Sequence, residues 1–250
     1  MTTAHSHTHS HSHPYDAEPR GNVRIATYNV HRCRGLDGLT RPQRIVEVLR
    51  LIDADVIALQ EVRGQAEEIG AELGMGWVMA TTRLHRGQQY GNVILSRHPI
   101  HGHSQYDLSY RSCEPRCVLR ADVQIGKQCL HVFNVHLGTA LLERRYQAGR
   151  LSAFVNDHRV TGAKIVLGDL NEWLKGETTR MLDKSMKSIE LRRLLRRRRT
   201  YPGVFPVLHL DHIYYDGAIE VIGVEMPRNR LTLVASDHLP LVAEVALSTA

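Results

Sequence analysis

Six short stretches constrain this chain more than its composition does: TYNVH, LQEV, NVHLG, LGDLNE, LDHIYY and SDHLPL, spread from Thr27 to Leu241. In each, an apolar run of strand character meets a residue suited to acid-base or metal chemistry. Taken singly, Asn29 or Glu61 reads as an ordinary turn or capping residue. Six such junctions change the weighting, because strand ends on one edge of a packed pair of sheets converge on one rim. Side chains distant in sequence then meet in one pocket.

The intervening sequence supplies the sheets and their cover. NVRIATYNV and DVIALQE read as strands, and RPQRIVEVLRLI between them carries apolar residues at helical spacing, with Thr40 as its N-cap. A second helix is expected over QAEEIGAEL, followed by WVMATT and by GNVILSRHPI, whose His-Pro marks the turn into the next strand. RCVLRADVQI and QCLHVFNVHL form a hairpin around Gly-Lys. An amphipathic helix over LLERRYQAGRLSAFVNDH leads into the buried strand of KIVLGDLNE. After a helical, basic section come HLDHIYY, AIEVIGVEM, the β-branched run LTLVAS and the last strand, LVAEVAL. Strand-rich halves joined by helices predict an α+β fold, a four-layer α/β/β/α sandwich of two mixed sheets packed face to face with helices outside.

No interior stretch is rich enough in Pro, Gly or Ser to mark a boundary, so one domain is expected over residues 22–250. It follows a tail, residues 1–21, in which His5, His7, His9, His11 and His13 alternate with Ser or Thr. That composition cannot bury a core and predicts a disordered segment able to bind transition metals, outside the catalytic unit. No apolar run reaches the roughly 20 residues that cross a bilayer, and the N-terminus lacks the apolar segment of a signal peptide, so a cytoplasmic protein without stable membrane insertion is expected. Cys33, Cys113, Cys117 and Cys129 show no CxxC spacing and read as small buried hydrophobes.

Charge points to an anionic partner. The net charge is +6. Much of the excess lies in ELRRLLRRRRTYP, where Arg192, Arg193, Arg196, Arg197, Arg198 and Arg199 surround a Leu-Leu pair. On a helix these arginines make either a phosphate-binding patch or a solvated helix end, and both readings stay open.

In order along the chain, TYNVH, QE, GNVILSR, NVHLG, GDLNE, LDHI and SDHLPL resemble the endonuclease/exonuclease/phosphatase superfamily, the deoxyribonuclease-like fold shared by base-excision endonucleases, sphingomyelinases and inositol phosphatases. The resemblance implies a divalent-metal-dependent phosphodiester hydrolase. Such a reaction needs its developing charge neutralised, a water activated and a leaving oxygen stabilised, tasks for which a hard cation on oxygen ligands is suited. Glu61 and Asp237 are hard oxygen donors and Asn29 adds a neutral carbonyl, a set favouring Mg²⁺ or Mn²⁺ over zinc; the resemblance makes Glu61 the principal ligand. His238 titrates near neutrality and suits a general base. The resemblance implies Asp211 as its orienting carboxylate, Asp169 as the group that positions or activates water, Asn171 as a residue holding that water or a phosphate oxygen, and His136 as a stabiliser of the transition state or helper of the leaving group. Asp169 and Asn171 share a face if the strand stays extended. Arg116 in EPRCVL is either a phosphate contact or a plain surface arginine, while His31 beside Asn29 is expected to support the site through hydrogen bonds.

The substrate is less constrained. A DNA or RNA nuclease is the favoured reading, resting on the arginine run, since aromatics for base stacking are only 6% of the chain. A lipid or small-molecule phosphodiesterase, resembling the bacterial sphingomyelinase branch, is the alternative. A noncatalytic metal-binding protein with the His-rich tail as its working part is a remote third.

Overall fold

The structure, a computed structural model, describes residues 22–189, 191 and 199–248; the His-rich segment and the arginine run apart from Arg199 lie outside the described residues. The chain opens with β1 (Asn22–Asn29), α1 (Pro42–Ile52), β2 (Val56–Arg63), α2 (Ala66–Leu73), β3 (Gly76–His85) and β4 (Gln88–Ser96). It continues through β5 (Ile100–Asp107), β6 (Cys117–Ile125), β7 (Gln128–His136), α3 (Leu141–Val155), β8 (Ala163–Asp169), α4 (Glu177–Leu182) and the short β9 (Lys187–Ser188). β10 (Asp211–Asp216), β11 (Ile219–Glu225), α5 (Arg230–Ala235) and β12 (Leu241–Leu247) complete it.

Two six-stranded mixed sheets result, in the orders β11-β12-β1-β2-β4-β3 and β5-β6-β7-β8-β10-β9. The second sheet is built from one continuous stretch between the two parts of the first. Three apolar layers explain the stacking. Ile25, Ala58, Ile94, Leu119, Val132 and Leu167 fill the space between the sheets. Tyr28, Ile57 and Leu95 on the outer face of the first sheet meet Ile45, Leu49 and Ile69 of α1 and α2. Phe133, Val166 and Tyr214 on the outer face of the second meet Leu151 of α3 and Leu182 of α4. This is the expected α/β/β/α sandwich, and period-2 alternation along each strand is what sends residues to the two faces.

Three local expectations are corrected. α1 begins at Pro42 with Arg41 at the cap position and no side-chain cap, so Thr40 does not cap it; the ring of Pro42 presets the first turn instead. LTLVAS is largely helical, not extended. Asn229 Oδ1 accepts from Thr232 N at 3.0 Å and Thr232 Oγ1 accepts from Asn229 N at 2.9 Å, a capping box that outweighs the β-branched residues. Asp211 opens β10 rather than closing a strand, and it reaches the same edge as Asp169 because β10 runs antiparallel to β8 with those two residues in register.

The four cysteines are free, Cys33 and Cys117 being buried and Cys113 and Cys129 partly so. Among the described residues no helix is long and apolar enough to cross a membrane.

Candidate active site

The inward rows of the strands turn polar at one end. Ile25 is followed on its face by Thr27 and Asn29, Val132 by Asn134 and His136, Ile165 by Leu167 and Asp169, and Ile213 is preceded by Asp211. All four terminal residues are buried. The site is therefore the last layer of the inter-sheet core, in which apolar side chains give way to ionisable ones.

Glu61 joins this layer through a break in the ladder. The β2–β4 register shifts between Leu59 and Val62, and Glu61 takes a left-handed φ of 60° that aims its carboxylate at the rim. A bulge leaves backbone groups without ladder partners. Asn134 of the facing sheet satisfies them: its Nδ2 donates to Leu59 O and to Val93 O, both at 2.8 Å, while its Oδ1 accepts from Gln60 Nε2 at 2.8 Å. One fully buried amide thus bridges the two sheets where Glu61 departs. Asn134→Leu strands the carbonyls of Leu59 and Val93 in the core, while Gln60 Nε2 keeps Thr27 Oγ1 and Ala58 O, and equilibrium unfolding should show a loss of about 3 kcal/mol. A loss below about 1 kcal/mol would mean that the bulge relaxes without the bridge.

Asn29 links the carboxylates. Its Nδ2 donates to Asp169 Oδ2 at 3.1 Å and lies 3.4 Å from Glu61 Oε1, while its Oδ1 accepts from the His31 backbone N–H at 3.1 Å. His31, Arg32 and Cys33 all have left-handed φ angles, an unfavourable conformation for three successive non-glycine residues. That turn places His31 Nδ1 3.3 Å from Asp237 Oδ1 and Arg32 Nε 3.9 Å from Glu61 Oε2.

The loop before β12 brings in Asp237 and His238. Ser236 Oγ donates to Asn29 O at 2.8 Å and accepts from His238 N at 3.3 Å, which pins the SDH turn to the end of β1. His238 Nδ1 lies 2.9 Å from Asp211 Oδ2, and its Nε2 faces Asp169 Oδ2 at 3.6 Å. His136 approaches the same Asp169 oxygen through Nε2 at 3.7 Å. Its Nδ1 is 2.9 Å from Arg116 Nη1, and a guanidinium can only donate, so His136 is the neutral tautomer carrying its proton on Nε2. Arg116 is itself buried and also donates to Glu114 at 3.0 Å. Beside His136 lies a small recess lined by Glu61, Tyr90, Asn92 and Arg116 among others.

Asn171 is close to Asp169 by a different route from the one expected. The strand ends at Asp169 and Asn171 has a φ of 49°, so the two do not share the face of an extended strand. Instead the Asn171 N–H donates to Asp169 Oδ1 at 2.9 Å and its Nδ2 donates to Leu137 O at 2.9 Å. Asp169 therefore receives hydrogen bonds on both oxygens, and the loop after β8 is tied to that after β7.

These surroundings separate the protonation behaviour of the three central groups. Burial holds His136 well below the ordinary imidazole range, and Arg116 and His238 add to the effect. Burial raises the Asp169 carboxyl, with Asp211 adding and His238 opposing. Burial alone would lower His238, but Asp211 and Asp169 outweigh it and push the imidazolium up to about 10. A histidine whose folded value exceeds its unfolded value, roughly 6.5, contributes stability that is complete below that pH and is lost as pH rises toward 10. Metal-free protein should accordingly show a falling melting temperature between about pH 6.5 and 10, and Asp211→Asn should flatten that slope. A parent curve already flat across the window would remove the charged His238 from the account.

Two groupings offer ligands to a cation. Asp169, Asp211 and His238 present ligand atoms within 4.8 Å of one another, although the 2.9 Å contact between His238 and Asp211 already engages two of them. Glu61 and Asp237, nearer the surface, have weaker partners: Glu61 meets Asn29 at 3.4 Å and Arg32 at 3.9 Å, and Asp237 meets His31 and Ser236 at 3.3 Å. Such under-coordinated carboxylates fit a hard divalent ion.

Asn134, Gln60, Ser236 and Glu114 were not singled out from sequence. For Asn134 a signal existed, a polar residue at a core-facing position of VFNVH; the partners that explain it belong to the other sheet.

The sequence pattern of the Endonuclease/Exonuclease/phosphatase family matches residues 26–238, and the chain belongs to that family. Its members are named for nucleases and phosphatases, which makes phosphoester hydrolysis the class of chemistry the family defines. The Escherichia coli protein YbhP is 28% identical over 255 residues, covering 93% of this chain and 99% of YbhP. Among solved structures, an endonuclease/exonuclease/phosphatase from Beutenbergia cavernae superposes with a TM-score of 0.73 at 22% identity, covering 92% of this chain and 73% of that one. The human Nocturnin catalytic domain with a bound sulfate anion gives 0.73 at 17% identity, covering 92% and 96%.

Proposed function

We propose that this protein is a divalent-metal-dependent phosphodiester hydrolase. The observation that carries the reading is the convergence on one buried carboxylate, Asp169, of Asn29, His136 and His238, with Glu61 and Asp237 on the open side. Glu61 and Asp237 would hold Mg²⁺ or Mn²⁺, with Asn29 as the neutral member of the set. When bound, such a cation neutralises charge on the phosphoryl group and stabilises the leaving oxygen.

The chain's own residues supply the rest. Asp169 and His238 hold the attacking water between them: the Asp169 carboxylate takes its proton, and the His238 imidazolium, oriented by Asp211, stands beside it and offsets its charge. Asp211 keeps Nδ1 occupied, so Nε2 is the nitrogen turned to the water. His136 presents an N–H toward charge that develops during attack, and Arg116 fixes its tautomer while adding a positive charge behind it. Asn171 holds the loop that sets Asp169. Nearness of acceptor, orienting group and donor to one point is what the reaction needs.

A DNA or RNA strand is the substrate supported by the net charge of +6 and the arginine run. A lipid or small phosphoester is the second reading, favoured by the apolar loops described below. The test is hydrolysis of supercoiled plasmid, single-stranded DNA, RNA and a small phosphodiester in Mg²⁺ and in Mn²⁺, with EDTA as control. Glu61→Gln should weaken metal binding at least tenfold in a direct titration, with partial recovery of turnover in excess Mn²⁺. Inactivity on all four substrates, or an unchanged metal titration in the variant, would overturn the respective assignment.

A further inference from the structure

The loops at the site end of the sandwich leave unusual surface behind. Among the described residues, the large apolar side chains that remain exposed stand on these loops or in the first turns of α3, with Leu51, Trp77 and Ile222 the exceptions. Leu84 lies on the β3–β4 hairpin, Leu141 and Leu142 at the start of α3, Trp173 and Leu174 after β8, and Phe205 in the segment before β10. Leu174 is 85% exposed and Phe205 76%. Monomers scatter single apolar residues over their surfaces, and concentration at one end marks an interaction surface.

The loops are fastened to the site. Gly203 N donates to Asp237 O at 2.7 Å, the Tyr201 ring stands 4.9 Å from that of His238, and Leu174 follows Asn171 by three residues. Whatever these side chains touch is therefore held beside the site.

Charge and chemistry choose the occupant. Arg34, Arg86, Arg111 and Arg199 are exposed on the same loops, and Arg145 in the first turns of α3. Acidic groups of these loops are held by arginines or used internally: Asp37 pairs with Arg44 at 2.7 Å, Glu114 contacts Arg83 and Arg116, and buried Glu172 accepts from the N–H groups of Thr178 and Thr179. The surface is thus cationic and apolar together. A nucleic-acid strand would be gripped by aromatic faces on which bases stack. Here leucine and valine predominate over Tyr146, Trp173 and Phe205, and aliphatic side chains gain by entering an acyl region.

We propose that the site end of this protein docks on a phospholipid bilayer containing anionic lipid, so that its phosphoester substrate is presented at a membrane surface. The docking is peripheral: arginines meet headgroups and the leucines of separate loops enter the interface. The proposal rests on the phosphodiesterase reading only for what happens to the bound lipid, since docking itself needs no turnover.

The test uses the full chain with vesicles of phosphatidylcholine and phosphatidylglycerol. Sedimentation with the vesicles is expected, weaker at high salt, and Leu142→Glu combined with Leu174→Glu should reduce partitioning by at least about tenfold. In a Trp77→Phe background, Trp173 emission should shift to the blue on vesicle addition. Hydrolysis of a small soluble diester should be the same in the double variant as in the parent, which separates docking from catalysis. Protein that stays in the supernatant, or a double variant that sediments like the parent, would overturn the proposal. Loss of single-stranded DNA binding in the double variant, without vesicle binding by the parent, would reassign the surface to nucleic acid.

Discussion

Asp169→Asn should lower turnover of a phosphodiester by at least about 10³-fold while leaving the protein folded. The substitution is nearly isosteric and keeps one oxygen for the Asn171 N–H; the hydrogen bond from Asn29 Nδ2 is given up, while the apolar inter-sheet core is undisturbed. What disappears is the negative charge toward which His136 and His238 are turned at 3.7 and 3.6 Å. An asparagine cannot take a proton from water, and it withdraws one of the carboxylates that hold His238 in its charged form. Single-turnover kinetics on a small diester, with thermal unfolding as the fold control, would measure the effect. Retention of more than about a tenth of the parent rate would remove Asp169 from the proton-handling pair.

Gly168→Ala, one residue earlier, should act on the fold. Gly168 has a φ of 143°, a conformation that residues with a Cβ rarely adopt, and an added Cβ would stand 1.9 Å from Val135 O and 2.8 Å from Val135 C. Both obstructing atoms are backbone of β7, hydrogen-bonded in parallel register with β8, so no flexible side chain can give way. β7 must shift, and His136 follows Val135 directly. We expect destabilisation of about 3 kcal/mol or more in denaturant titrations, together with loss of activity in whatever folds. A stability change under about 1 kcal/mol would show that the β7–β8 spacing is much softer than its packing indicates.

Much of this arrangement was readable because a strand has a period of two. In Ile25-Thr27-Asn29 or Ile165-Leu167-Asp169 the same alternation that fills the core carries the functional residue to its end. Motif order then joined residues that are far apart along the chain. What could not be read depends on partners in the other sheet or on local geometry that breaks the alternation. The bulge that turns Glu61 outward is compensated by Asn134 across the interface, and no pattern within LQEV announces it. Asn171 was placed by assuming an extended chain that in fact turns left-handed. LTLVAS looked extended because of its β-branched Thr232 and Val234, although the capping pair Asn229 and Thr232 straddles its start. That exposed leucines of separate loops gather at one end was equally illegible, because those loops are distant in sequence and meet only in the fold.

The second sheet arises from one uninterrupted stretch, β5 to β10, set between the strands of the first. The site is accordingly divided by chain segment: His136, Asp169 and Asp211 come from the inserted stretch, and Asn29, Glu61, Asp237 and His238 from the flanking ones. Contacts across the sandwich join the halves, Asn29 to Asp169 and His238 to Asp211 among them. Hydrolysis therefore reports on assembly. Separately made fragments covering the insert and its surroundings would each be inert, and recovered turnover on mixing would time the closure of one sheet upon the other.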